Sequence, residues 1–350
     1  MSATSHHLDE RELVGRARRG DEGAYRTLVE RYRSELHAHA YRMLGSVHDA
    51  EDAMQDALLR AWRGLPRFDG RSALKSWLYR IVTNTCLDLI NKRPKKVLPI
   101  DHGPPGDAHE GPGVPLTESI WIEPYPDEQL GLMDGRAAPE ARYEQRESVE
   151  LAFVAALQHL PARQRAVLIL REVLGYSANE VADTLETSTP AVNSALQRAR
   201  KTIDDTLPER SQAQTLRTLG DDRVREIVEG YMDAWERGDV EAVTAMLAQD
   251  AAITMPPMAS WFQGQGVEIF LREWAFSGRV YDALGRRNVR VLRSQANGQP
   301  AIGTYSWSDE AGAHLPTVLQ VLSFDGDRIT EITGFVDPSA FPRFGLPERL

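Results

Sequence analysis

Up to Pro94, apolar residues recur at intervals of three and four. Tyr25, Leu28, Val29, Tyr32 and Leu36 form one set, Ala53, Met54, Ala57, Leu58, Ala61 and Trp62 a second, and Leu74, Leu78, Ile81, Thr85 and Leu89 a third. This spacing lines one face of an α-helix. Asp21 suits the cap of the first helix, Ser46 with Asp49 three residues on has capping-box form for the second, and Ser72 suits the cap of the third. Pro94 ends the series, so the pattern predicts a helical bundle over residues 9 to 94.

From Pro94 to Pro139 the pattern stops. Pro99, Pro104, Pro105, Pro112, Pro115, Pro124 and Pro126, with interspersed glycines, disfavour both helix and central strand and predict a long linker. Its stretch from Ile120 to Pro126 is apolar and aromatic, unlike a solvated tether, which predicts that Trp121, Pro124, Tyr125 and Pro126 dock on a folded surface. Helical periodicity returns with Val149, Phe153, Ala156, Leu157 and Leu160, then with Val167, Leu168, Leu170 and Val173 up to Gly175.

Residues 177 to 203 carry the sharpest local pattern. Ser177-Ala178-Asn179-Glu180 has capping-box form, Val181, Ala182 and Leu185 face a core, and Glu186-Thr187-Ser188 makes a short turn. Thr189 is read as the cap of the next helix and Pro190 as its first residue. Val192, Leu196, Ala199 and Ile203 form its buried stripe, leaving Asn193, Ser194, Gln197, Arg198, Arg200 and Lys201 outside. Beyond Asp221, two helices (Val224 to Trp235, Val240 to Leu247) and a strand-like Ala251 to Met255 precede a helix near Val267 to Trp274. The strand-like segments Asn288 to Leu292, Ala301 to Trp307, Thr317 to Phe324 and Arg328 to Phe335 follow, and Asp325-Gly326 is a hairpin turn. This half is predicted to be a separate α+β domain.

A chain of 350 residues that is 42% hydrophobic and 26% charged exceeds one small core and is too apolar for disorder throughout. No apolar run approaches the roughly 18 residues of a membrane helix, and residues 1 to 7 lack a signal peptide's apolar stretch, so a soluble, cytoplasmic protein is expected with no membrane partner. The single cysteine, Cys86, excludes intrachain disulfides and zinc-type thiolate pairs, and mid-helix it reads as a packed small hydrophobe. His37 and His39 lie two apart on a helix and point to different faces, which argues against shared metal ligation. No metal or cofactor is expected.

The net charge of −10 opposes nucleic-acid binding only as a whole-chain sum. Residues 1 to 100 carry +5, the segment 101 to 150 carries −9, and 151 to 210 balance. Within the basic segment, Arg60, Arg63, Arg67, Arg71, Lys75 and Arg80 alternate with Trp62, Phe68, Trp77 and Tyr79, a mixture suited to neutralising phosphates and stacking on unpaired bases. The exposed face from Asn193 to Lys201 places amides where base edges can be read and cations where phosphates lie. An ordinary helical hairpin with a solvated face is the plain alternative for that segment. In the C-terminal half, Asp250 and His314 are candidates for an acid–base pair, and with Trp261, Trp274 and Tyr305 they could line a small-molecule pocket; ordinary aromatic core is the alternative. Gly264-Gln265-Gly266 lacks the third glycine of a dinucleotide loop. Catalytic residues are not expected.

The run from Asp49 to Trp62, then Phe68 to Ser72, then Trp77 to Asn84, closely resembles region 2 of bacterial extracytoplasmic-function sigma factors, and Leu160 through Lys201 is similar to their region 4. From Tyr231 and Trp235 through Met255-Pro256-Pro257, the third domain resembles a SnoaL-type cone. Sigma factors with this extension, an aromatic-proline linker and a tail like Phe341 to Pro347 form a subgroup. The resemblance implies two all-α DNA-binding domains, a region 2 helical bundle at 9–95 and a region 4 helix-turn-helix at 144–206, joined by an acidic linker at 96–143. An α+β SnoaL-like cone at 219–338 and a tail at 339–350 complete the chain. It implies that Asp49, Glu51, Asp52, Gln55 and Asp56 bind the β′ clamp helices of the polymerase core. It implies too that Phe68, Asp69, Gly70, Arg71, Ser72, Lys75, Arg80 and Asn84 capture the minus-ten element. The minus-thirty-five element falls to Ser188, Thr189, Pro190, Asn193, Ser194, Gln197, Arg198, Arg200 and Lys201. The implied function is promoter recognition, melting and initiation, tuned by the chain's own third domain in place of a separate anti-sigma protein. The rival is a SnoaL-like enzyme or ligand sensor fused to a DNA-binding hairpin.

Overall fold

The computed structural model describes residues 10–70, 72–116, 120–130, 146–277 and 288–350, and the chain divides into two compact units. One unit holds residues 1–94 and 157–205, the other most of 95–156 and all of 206–350. No described helix is long and apolar enough to cross a membrane.

The first unit is all-helical. It runs α1 (Glu10–Arg18), α2 (Glu22–Glu30), α3 (Arg33–Leu44), α4 (Val47–Gly64) and α5 (Leu74–Ile90). Asp21 caps α2 by accepting from Ala24 N, and Ser46 caps α4 by accepting from Asp49 N. The expected cap at Ser72 is not formed: Ala73 holds that position without a side-chain bond, and Ser72 is exposed. Ala50, Ala53, Met54, Ala57 and Ala61 bury one stripe of α4, and its four alanines let α3 and α5 approach closely. Cys86 is fully buried there, and burial pushes its thiol well above the ordinary range, so it packs as a hydrophobe. His39 is buried as well, its Nε2 2.8 Å from Thr83 Oγ1, and desolvation pushes its pKa down to about 3, which keeps the ring neutral.

The second unit is built on a six-stranded sheet of order β2-β1-β6-β5-β4-β3, with β1 (Leu247–Thr254), β2 (Trp261–Gln263), β3 (Val289–Ala296), β4 (Gln299–Ser308), β5 (Ala313–Asp325) and β6 (Arg328–Phe335). Among the six strands of this sheet, β1 and β6 pair parallel and the other neighbours antiparallel. Asp325 pairs with Arg328 across the expected hairpin turn. One face packs on a helix at Asp221–Arg237, where Val224, Ile227, Val228 and Tyr231 meet Ile253, Phe262, Ile302, Leu322 and Ile332. The other face holds Tyr305, whose ring meets Phe341 edge-on while its hydroxyl donates to Pro347 O at 2.9 Å. A Cβ on Gly303 would stand 2.5 Å from Leu346 Cδ1 and 3.0 Å from Phe341 Cε1, so the tail's side chains would have to shift to admit one.

The linker belongs to this unit's packing. A four-residue helix, Pro99–His102, forms inside it despite its prolines, since Pro tolerates a helix's first position. Val97 bridges Trp121, Pro115 bridges Met258, and Pro126 bridges Ala296. Past the linker, buried Glu150 accepts from Gln212 N at 2.9 Å and Ala213 N at 2.6 Å, the free amides that open a helix at Gln212–Leu219. Burial pushes Glu150 up to about 7 and Asp127 up to about 6. Both carboxyls therefore keep protons in the folded state that the unfolded chain releases. Their stabilising contribution is full below the unfolded range near pH 4 and is lost as pH rises through 6 to 7. Urea unfolding is expected to show the second unit losing about 4 kcal/mol between pH 5 and 8, with much of the loss abolished in Glu150→Gln; stability that is flat or rising across that window would contradict it.

Candidate nucleic-acid interface

Three surfaces of the first unit concentrate the expected chemistry. On α4, Asp52, Gln55 and Asp56 are exposed and Glu51 is half-buried. Asp49 departs from expectation: it is 8% exposed and bonded to Arg93, so it serves the fold rather than an outside partner. Arg93 also donates to Asp52 at 3.0 Å, and that bond, with the nearby Asp49 charge, holds its guanidinium above its ordinary pKa. Leu59, overlooked by the sequence reading, is 46% exposed on the same helix. The signal was available, because Leu59 lies off the Ala53–Ala57–Ala61 stripe and three to four residues from Asp56 and Gln55.

The loop before α5 separates its expected residues. Asp69, Gly70 and Ser72 are exposed, and Arg71 lies outside the described residues. Phe68 is instead 8% exposed, packed on Trp77 with ring centroids 5.1 Å apart. Its ring is spent on the core and does not present a face for a base. Along α5, Lys75 pairs with Glu35, Arg80 is exposed and pairs with Glu186 at 2.6 Å, and Asn84 is half-buried one turn beyond Arg80. Both cations therefore already have an acidic partner.

The helix-turn-helix is α-helical at Ala178–Thr184 and Thr189–Asp204. The Ser177–Glu180 capping box forms in both directions. The second helix starts one residue earlier than read: Ser188 is the cap, accepting from Ala191 N, with Thr189 and Pro190 as the first two helical residues. Thr189 Oγ1 donates to Asn179 Oδ1 at 2.9 Å, which ties the two helices together. Val192, Leu196, Ala199 and Ile203 are buried, and Asn193, Ser194, Gln197, Arg198, Arg200 and Lys201 are exposed. A cleft of about 530 Å³ runs along this face between Arg171, Asn193, Gln197, Arg200, Lys201 and Asp204. Arg200 pairs with Glu172 at 2.6 Å, so a phosphate would exchange for a carboxylate here.

In the second unit the candidate pocket residues are not brought together. Asp250 is exposed on β1, level with Ile329 and Glu331 of β6, which pair with Phe324 and Ser323 of β5. His314 lies about nine residues further along β5, roughly 30 Å away at strand rise, and so cannot exchange a proton with Asp250. Its ring packs on Trp307, and its backbone pairs in both directions with Leu350. Trp261 Nε1 donates to Gly103 O at 2.7 Å and Trp274 Nε1 to Ala108 O at 2.8 Å. Gly111 lies on the Trp274 ring so closely that a Cβ would be 2.6 Å from it. These indoles, like Tyr305 under the tail, hold the protein's own chain where a ligand was expected. Trp121, Pro124, Tyr125 and Pro126 are buried; Tyr125 O accepts from Asn297 N, and Asn297 Oδ1 accepts from Tyr125 N, both at 2.8 Å. Among the described residues no group of His, Cys, Asp and Glu could hold a metal.

Three family matches follow the chain in order: Sigma-70 region 2 at residues 28–95, Sigma-70 region 4 at 150–203 and a SnoaL-like domain at 228–332. The chain is 42% identical over 334 residues to the ECF RNA polymerase sigma factor SigG of Mycobacterium tuberculosis, covering 95% of this chain and 86% of that one. It is 30% identical over 198 residues to the RNA polymerase sigma-H factor of Pseudomonas aeruginosa, covering 57% of this chain and 93% of that one. The crystal structure of the M. tuberculosis extracytoplasmic function sigma factor SigJ shares the fold, with a TM-score of 0.58 at 21% identity over 92% of this chain and 99% of that one. With its helical regions 2 and 4 and its C-terminal sheet domain in that order, the chain belongs to the extracytoplasmic-function sigma factors of RNA polymerase that carry a SnoaL-like C-terminal domain.

Proposed function

We propose that this sigma factor, working in the cytoplasm with the polymerase core, divides its labour among the exposed surfaces described above. Asp52, Gln55 and Asp56, joined by Leu59, meet the β′ clamp helices, an acidic and apolar strip suited to a basic partner. The loop Asp69–Ser72 with Lys75, Arg80 and Asn84 handles the opened minus-ten strand. The helix from Ser188 to Lys201 enters the major groove at the minus-thirty-five element. The observation that carries this reading is the clean split of that helix, with four apolar residues inside and six amide, hydroxyl or cationic residues outside.

The third domain acts by packing rather than by chemistry. Its candidate acid and imidazole are far apart, and its indoles are bonded to the linker. Holding the linker, it sets how much chain is free between regions 2 and 4, a role that would replace a separate anti-sigma protein.

Selection from a library of duplexes with random upstream and downstream blocks, transcribed by core polymerase with the full chain, tests the assignment. The wild type is expected to enrich two separated blocks. Gln197→Ala should relax one upstream position by about tenfold to a hundredfold and leave the downstream block unchanged. The pair Arg200→Ala and Lys201→Ala should weaken all sequences alike and flatten the salt dependence by a log-log slope of about 0.9 per lost phosphate contact. Unchanged upstream preference in Gln197→Ala would remove that helix as the reader.

A further inference from the structure

Glu186 sits in the turn of the helix-turn-helix with φ +50°. Among the described residues, the other non-glycine residues with positive φ are Asn288 and Asn297, a residue type that tolerates this region. Glutamate has no such excuse. A glycine would fill the turn without strain. Strained backbone of this kind persists where the side chain does something the alternative could not. Here the side chain reaches Arg80 of α5, 2.6 Å away and 106 residues earlier in sequence.

We propose that Glu186 is an internal competitor of the promoter: its carboxylate occupies the Arg80 guanidinium in the free chain and must leave before regions 2 and 4 can read one promoter. The proposal rests on the reading of Arg80 as a minus-ten contact. Geometry makes the two states exclusive. Elements centred near minus ten and minus thirty-five lie about 25 base pairs apart, about 85 Å along B-form DNA. Glu186 is two residues from Ser188, the cap of the upstream-reading helix, and that helix is only about 24 Å long. A contact that ties its start to Arg80 therefore cannot survive on a promoter engaged at both elements.

Neighbouring groups hold the same closed arrangement. The Arg165 guanidinium donates to Met43 O, and Gln158 Nε2 donates to Arg42 O at 3.3 Å, both carbonyls from the last turn of α3. Tyr176 packs edge-on against Tyr79 at 5.9 Å. These contacts are buried or half-buried and general; the Glu186–Arg80 pair is exposed on both sides, and of these contacts between regions 2 and 4 it alone engages a DNA-reading cation.

The proposal takes the polymerase core to hold regions 2 and 4 apart at promoter spacing, so the test is the affinity of the full-length chain for core, and no known promoter is needed. If the pair favours the closed state, Glu186→Gln tightens core binding about twofold to fivefold, the range of an exposed ion pair, because a larger fraction of the chain is competent. Arg80→Gln gives the same gain, the double variant gives no more than either single one, and the reversed pair R80E/E186R returns to the wild-type value. Glu186→Gly shows the gain together with a higher melting midpoint, since it also removes the strained φ. A turn residue with a merely structural role would move the midpoint and leave core affinity unchanged, and that result overturns the proposal. So does an effect of Glu186→Gln that persists in full when Arg80 is already Gln. A wild type that binds core while Glu186→Gln is indistinguishable from it brings down the competitor alone; a wild type that fails to bind core brings down the polymerase reading with it.

Discussion

Leu59→Arg in the full chain is expected to weaken assembly with core polymerase by about thirtyfold or more while leaving the fold intact. Leu59 is 46% exposed, so replacing it uncovers no cavity, and the substitution is neutral for folding to within roughly 0.5 kcal/mol. Its neighbours explain the size of the binding effect. Asp52, Gln55 and Asp56 surround it with polar groups, an apolar centre inside a charged rim, which is where binding free energy concentrates. Loss of a contact worth about 2 kcal/mol corresponds to that factor, and the new cation adds repulsion toward a basic partner. Asp49→Asn supplies the contrast. Its carboxylate is buried against Arg93 beside the start of α4, so the expected cost falls on thermal stability rather than on polymerase affinity. Competition binding with labelled core, read alongside circular-dichroism melts, separates the two; equal core affinity for Leu59→Arg and wild type would remove this face from the interface.

Asn297→Ala is expected to cost the second unit about 3 to 5 kcal/mol and to loosen the linker from it. Asn297 is fully buried at the β3–β4 turn with φ +56°, where asparagine is tolerated and alanine strained. Its Oδ1 accepts from Tyr125 N and its Nδ2 donates to Val149 O at 2.7 Å, so one side chain clasps the linker on both sides of residues 131–145. Removing it leaves two buried backbone groups unpaired, at about 1 to 3 kcal/mol each. Urea unfolding together with hydrogen exchange at Tyr125 reads both effects. A loss below 1 kcal/mol with Tyr125 still protected would show that the bridge at Pro126 suffices.

What could be read from the sequence follows from the range of the interactions. The stripe Val192–Leu196–Ala199–Ile203, the Ser177–Glu180 box and the Asp325-Gly326 turn are local and were legible, because a periodicity or a cap is complete within one or two turns of chain. Strand ends were less so: β5 begins at Ala313, four residues before the β-branched run that marked it, because its first residues pair with Tyr305 to Ser308 of β4 and His314 also pairs with Leu350 of the distant tail. The helix at Gln212–Leu219 carries a local cap at Ser211, but its first two amides are satisfied by Glu150, whose position 62 residues earlier no local pattern reveals. Aromatic content pointed to a pocket at Trp261 and Trp274, but no local pattern says that Gly103 and Ala108 will occupy the indole donors. For the site, residue types were legible and exposure was not. Asp49 and Phe68 carry the right chemistry, yet packing withdraws both.

This chain is expected to confer promoter-dependent initiation on a polymerase core that lacks it. The most direct test is transcription by purified core with and without the full-length chain, on a genomic duplex library, with transcript 5′ ends mapped. The expected result is a set of discrete start sites that require the chain and share two upstream sequence blocks. Transcripts that start without preference, or that are the same with and without the chain, would contradict the account.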